Sequence, residues 1–270
     1  MTLFRLCRED PLVSLVHELY GANMVRIPDA RVRPLSVVLY RQGRSFFRGS
    51  LLPLLDNAQP LGLQPQASLL TDISGRRSRR VTLDLGLHIL RGFLSGFGLP
   101  HASLEARLNG AAYLAFAFPA AKRSALDINA LGWALTERRI ARHNPAATML
   151  FSSEPYELFL IDSIITSHQI AIVVGGTRKQ RLNLDLAALR EALAELGGSV
   201  ETGAAGEVEL IISSKAELTF AFSCVRVCFD HEGQITSLPP DPYTRTLSEH
   251  WCTTLPLTTH PGLLVWDERL

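Results

Sequence analysis

The chain has 270 residues and a mass of 29.7 kDa, with 47% hydrophobic and 20% charged residues, a composition that buries a full core and excludes a disordered chain or a coiled coil. No uncharged apolar run reaches the ~18 residues of a transmembrane helix, which leaves membrane strands open. The net charge of +1 hides an asymmetry: residues 1–181 hold 22 Lys and Arg against 13 Asp and Glu, and residues 182–270 hold 5 against 13, so a basic surface for an anionic partner and an acidic end section are expected.

In chain order, Arg5 and Arg8 interrupt the apolar start, so no secretory signal is expected and the protein is read as cytosolic. Asp10-Pro11 opens a helix whose Leu12, Leu15, Val16, Leu19 and Tyr20 share one face, and Gly21 closes it. Strand patterns follow at Val32–Tyr40, Arg79–Leu83 and Ala111–Phe118. Ser124 with Asp127 resembles a capping box for a helix to about Ala141. Further strands are expected at Tyr156–Ile165, Gln169–Val174, Val208–Ser213, Glu217–Phe229 and Ile235–Leu238. The helix Leu182–Leu196 carries its leucines at 182, 186, 189, 193 and 196 as one stripe, ended by Gly197-Gly198. Strands and helices mix without βα alternation, so the expected fold is α+β, a twisted, mainly antiparallel sheet flanked by helices.

Ser237–Arg245 holds three prolines in four residues and marks a joint. Beyond it, 246–270 contains Trp251, Leu255, Leu257, Leu264 and Trp266, too apolar for a loose end and expected to dock on the body.

Chemistry-bearing motifs are sparse. His-Glu-x-x-His, Walker A, Gly-x-Ser-x-Gly and kinase signatures are all missing, and Gly92, Gly96 and Gly98 lack dinucleotide-binding spacing, so no catalytic residues and no enzyme are expected. The four cysteines, Cys7, Cys224, Cys228 and Cys252, are too few for a disulfide scaffold. Cys224, Cys228 and His231 lack a standard zinc spacing and read as packing in a strand, so no metal and no cofactor are expected. A basic charge without zinc-finger or aromatic RNA-binding signatures gives no nucleic-acid partner.

The first forty residues carry a resemblance. Cys7 before Asp10-Pro11, then Tyr20-Gly21-Ala22-Asn23, Arg26-Ile27-Pro28 and Arg33-Pro34-Leu35, is similar to the bacterial gasdermins, with which the chain also shares its length, the late leucine helix and a short tail. The resemblance implies a pore-forming cell-death protein of anti-phage defence, with a body at 1–245 and an autoinhibitory peptide at 246–270. It implies an activating protease, a palmitoyl group on Cys7, anionic inner-membrane lipids as target, and a monomer that becomes a homo-oligomeric β-barrel after cleavage. The resting protein would be cytoplasmic and the cleaved one in the inner membrane, spanning by regions near Arg79–Phe118 and Pro155–Val174. Within the joint, the expected cut lies between Asp241 and Ser248, with Arg245 first: it is the only Lys or Arg between Val227 and Glu268, and Pro242 obstructs a cut after Asp241. Trp251, Leu255, Leu257, Leu264 and Trp266 are the expected lock. The alternatives are a lipid- or acyl-binding module without pore activity, and an unrecognised hydrolase.

Overall fold

The structure, a computed structural model, describes residues 22–41, 44–70, 80–100, 102–108, 110–119, 121–176, 185–195, 198–202, 208–239 and 263–264. Its centre is a ribbon of two long antiparallel strands, β8 (Glu157–Gly175) and β10 (Val208–Phe229). Their sequences run almost continuously apolar because both edges and much of both faces are covered. Along the outer edge of β8 lie, end to end, β2 (Ser36–Arg41), β7 (Lys122–Ala125) and β6 (Tyr113–Ala117). Along the outer edge of β10 lie β11 (Ile235–Ser237), β1 (Asn23–Asp29) and β9 (Gly198–Thr202). A third rank adds β3 (Arg44–Ser50) to β2, β4 (Gln66–Leu69) to β7 and β5 (Val81–Thr82) to β6. Every pairing among the described strands is antiparallel except that of β1 with β12 (Leu263–Leu264). The α+β sheet expected from the sequence is therefore present.

Several elements differ from expectation. The segments 156–165 and 169–174 are one strand, as are 208–213 and 217–229, because the two pair with each other on both sides of a bulge at Ser214–Glu217. The region taken as a strand at 79–83 contributes only β5 and then turns into α1 (Leu83–Gly96), followed by α2 (Ala102–Leu108). Two glycines let α1 lie close. A Cβ at Gly86 would sit 2.7 Å from the Leu114 side chain, and one at Gly96 would meet the Pro28 carbonyl at 2.5 Å.

α3 (Ile128–Leu135) ends six residues short of Ala141 and starts later than expected. Asp127 itself is the N-cap, its carboxylate accepting from the N–H groups of Asn129 (2.8 Å) and Ala130 (3.0 Å), while Ser124 belongs to β7. α4 (Leu186–Glu195) is capped in the same way by Asp185 on Ala187 and Ala188. It buries Leu189 and Leu193, so its stripe faces the sheet as read; Leu182 and Leu196 lie outside the described residues, as does the expected helix at 10–21.

The core has two major parts. Leu90, Phe93, Leu94, Leu104, Leu189 and Leu193 bring α1, α2 and α4 onto one end of the ribbon, at Ile170, Ile172, Val174, Leu210 and Ile212. At the other end, Leu131, Leu135, Ala147 and Leu150 pack on Val37, Leu39, Leu158, Leu160, Val225 and Val227. A smaller cluster on the same half holds Val25, Val38, Phe159, Phe222 and Cys224. No described helix is long and apolar enough to cross a membrane.

Candidate functional site

Two neighbouring ladders break at one level of the sheet, that of β8 with β6 and β7 and that of β8 with β10. β6 and β7 are halves of one line along β8, separated by a turn at Pro119. Opposite it, the Ser167 hydroxyl lies 3.1 Å from the Pro119 carbonyl and 2.8 Å from that of Gln169, and accepts from the Gln169 N–H at 3.1 Å. On the far side, β10 passes from Ser213, opposite Gln169, to Leu218, opposite Ser167, so that Ser214–Glu217 bulge out of the ladder. Lys122 of β7 reaches this bulge through a 3.0 Å ion pair with Glu217. Beneath the break, Phe118 and Phe220 stack with centroids 4.1 Å apart, and Phe93 of α1 leans on both.

A polar node follows one turn of the ladder away. Ser223 donates to Asp162 Oδ1 at 3.0 Å, the hydroxyls of Ser223 and Ser163 are 2.6 Å apart, and Arg123 Nε donates to Ser163 at 3.3 Å. The ladder shifts register here as well, between Ser223 and Cys224. Serine, carboxylate and guanidinium bond to one another across β7, β8 and β10 as a part-buried hydrogen-bonded network. The partners of Ser163 on β7 and β10 are set by the strand register and not by a local sequence pattern.

Cys224 packs in the small cluster, and Cys228 and His231 line a cavity of about 520 Å³ with Arg142, Phe151, Tyr156 and Arg226. Among the described residues, no group of three or more His, Cys, Asp or Glu is drawn together to hold a metal. Arg142 lies over Phe151 at 5.1 Å and Arg226 pairs with Glu157 at 3.0 Å, so this end of the sheet is rich in guanidinium groups on aromatic faces. Arg41 adds to it, over Tyr156 at 5.3 Å and paired with Glu154. Large exposed apolar side chains are scattered singly among the described residues: Leu69, Ile128 and Trp133, the last 84% exposed.

The sequence-derived site residues fall mostly beyond view. Cys7, the cleavage window Asp241 to Ser248 with Arg245, and Trp251, Leu255, Leu257 and Trp266 lie outside the described residues. Leu264 is the exception. Leu263 and Leu264 pair parallel with Met24 and Val25 of β1 and run beside β3, so the tail strand lies at the two open edges of the sheet.

The fold is thus a mainly antiparallel sheet flanked by helices, with a tail strand paired to β1. The model of the Bacterial Gasdermin Family matches residues 25–234, and the chain belongs to that family. It is 25% identical over 235 residues to a gasdermin of Lysobacter enzymogenes, covering 85% of this chain and 84% of that one. It is 26% identical over 237 residues to a gasdermin of a Desulfuromonadales bacterium, with 86% of each covered. The solved structure of a bacterial gasdermin from Bradyrhizobium tropiciagri superposes with a TM-score of 0.61 at 13% identity, over 94% of this chain and 95% of that one, and shares the fold.

Proposed function

We propose that this gasdermin is an autoinhibited pore-former. In this reading the body, residues 1–245, is held as a cytoplasmic monomer by the peptide 246–270. A partner protease cuts between Asp241 and Ser248, first at Arg245, and the body then assembles in the inner membrane as a β-barrel that kills the cell in defence against phage. The observation that carries the reading is the pairing of Leu263–Leu264 with Met24–Val25. A strand laid on an open edge occupies the main-chain groups that another copy would need. A few apolar side chains, each worth about 1.5–3 kcal/mol when fully buried, suffice to hold a tethered tail, because tethering raises its effective concentration to about millimolar. Cutting the tether lets the peptide dilute away.

Two further parts belong to the same reading. Cys7 carries a palmitoyl chain, which at about 0.8 kcal/mol per buried methylene strengthens membrane attachment after release. Arginines of the basic section draw the body to anionic lipid, at about 1 kcal/mol for each one near the surface.

The test compares residues 1–245 with the full chain, in liposome dye release and in cell viability. Leakage and death are expected from the short form only. A short form that binds liposomes without leakage would leave a lipid-binding module instead. Intact mass of the native protein should show an addition of palmitoyl size that Cys7→Ala removes.

A further inference from the structure

The cavity at the α3-covered end of β8 and β10 has no part in the pore-forming reading. Its volume of about 520 Å³ falls within the ~300–1,000 Å³ of sites for small organic ligands. Its floor is apolar, formed by Leu150, Leu158 and Val227, each at most 3% exposed. Three half-buried rings, Phe151, Tyr156 and Phe229, line it above that floor. Phe151 and Phe229 lean on each other with centroids 5.4 Å apart, and Tyr156 meets Phe46 edge-on at 5.9 Å. The aromatic surface is therefore set before a ligand arrives.

Charged and polar groups stand at the mouth, and the acceptors among them are already committed. Glu157 pairs with Arg226 at 3.0 Å. Asp230 Oδ1 accepts the N–H groups of Glu232 and Gln234 at 2.9 Å each and so closes the turn between β10 and β11. The Ser152 hydroxyl is held by the Met149 and Glu154 carbonyls, at 3.2 and 2.9 Å. Arg142 and His231 differ. The Arg142 guanidinium lies over the Phe151 ring, and among the described residues it has no carboxylate or other hydrogen-bond acceptor. The exposed His231 ring likewise has no polar partner there. The hydrogen-bonding capacity left at the mouth is thus mainly that of a guanidinium donor, which calls for an anionic acceptor.

We propose that this cavity is a binding site for a small amphipathic organic anion, in its simplest form an aromatic carboxylate. The flat ring of the ligand lies against Phe151, Tyr156 and Phe229, over the apolar floor. Its carboxylate takes N–H bonds from Arg142, with His231 beside it. An inorganic anion would leave the rings without a partner, and a neutral aromatic would leave Arg142 without one. The site goes beyond the pore-forming reading and does not depend on it.

Titration of the full chain with 1-naphthoate, followed by amide chemical shifts, tests the proposal. Saturable binding is expected with a Kd below about 1 mM, with the largest shifts at Phe151 and Val227–His231. Inorganic phosphate has the charge without the ring, and 1-naphthalenemethanol has the ring without the charge. Each should bind at least about tenfold more weakly than 1-naphthoate. Arg142→Gln removes an exposed guanidinium and should weaken naphthoate binding at least about tenfold. Arg190→Gln makes the same charge change on the exposed side of α4 and should leave binding at the parent level. No saturation at millimolar naphthoate overturns the proposal, as do shifts confined to other regions. Equal binding of either control probe overturns it, and so does an equal effect of the two arginine variants. The readout is taken in solution without membranes, so a short form that fails to leak would sink the pore-forming reading and leave this result standing.

Discussion

The two ends of the β8–β10 ribbon are built from the same pair of strands and covered in opposite ways. One end lies under α1, α2 and α4, whose leucines and Phe93 form a single cluster with Ile170, Ile172, Leu210 and Ile212. The other is covered by α3, a 3-10 turn at Pro145–Leu150 and the β2–β3 hairpin, with further main-chain tethers such as Ile140 N–H to the Gly233 carbonyl. Between them runs the polar seam of Asp162, Ser163, Ser167, Thr219 and Ser223. A seam that satisfies its own hydrogen bonds separates the ends without weakening either. The long strands thus pass through two separate clusters and are expected to open as two cooperative units. The helix-backed end contains the region read from the sequence at Arg79–Phe118, whereas the region read at Pro155–Val174 runs through both ends.

The strongest way to break this comparison is Phe220→Ala. Its ring is buried, stacked on Phe118 and beside Phe93, and a loss of about 3–5 kcal/mol is expected by denaturant melting. Hydrogen exchange should rise in α1 and β6 more than in β2 and β3; a uniform rise would mean that the ends are one unit. Gly86→Val comes next. Its side chain meets Leu114 and pries α1 from β6, for an expected cost of about 1–3 kcal/mol. With the tail removed, this variant should release liposome dye sooner than the parent if loosening of the helix-backed end limits the rate.

Asp127→Ala acts on the other end. It removes the α3 cap at Asn129 and Ala130, for about 1 kcal/mol. Combined with Phe220→Ala, its effect should add to within about 0.5 kcal/mol; clear coupling would erase the distinction between the ends. The smallest effect is expected from Lys122→Ala, whose ion pair with Glu217 is about 40% exposed on both sides. Stability should fall by less than about 1 kcal/mol, and less still in high salt.

The pattern of what was legible follows from the range of the forces involved. The leucine stripe of α4 needs only its own periodicity, so its buried face could be read directly. The sequence pattern puts Ser124 at the cap with Asp127 three residues on, and only the pairing of Ser124 in β7 with Ala67 of β4 moves the cap to Asp127. Three glycines in α1, at 86, 92 and 96, lower local helical preference, and the compensating approach to Leu114 and Pro28 is a tertiary contact. Short exposed strands such as Gln66–Leu69 have almost no apolar pattern and exist because β7 supplies their hydrogen bonds.

The sequence by itself determined the mixed architecture, the proline-rich joint and an apolar tail with reason to dock, since composition, periodicity and proline chemistry act within a few residues. Only the tertiary structure decided that two pairs of expected strands are single long ones, that two ladders break at one level around Ser167, and that Leu263–Leu264 lie along β1. These pairings join residues as distant as Met24 and Leu263 or Arg123 and Ile165, and no local pattern encodes which partner arrives.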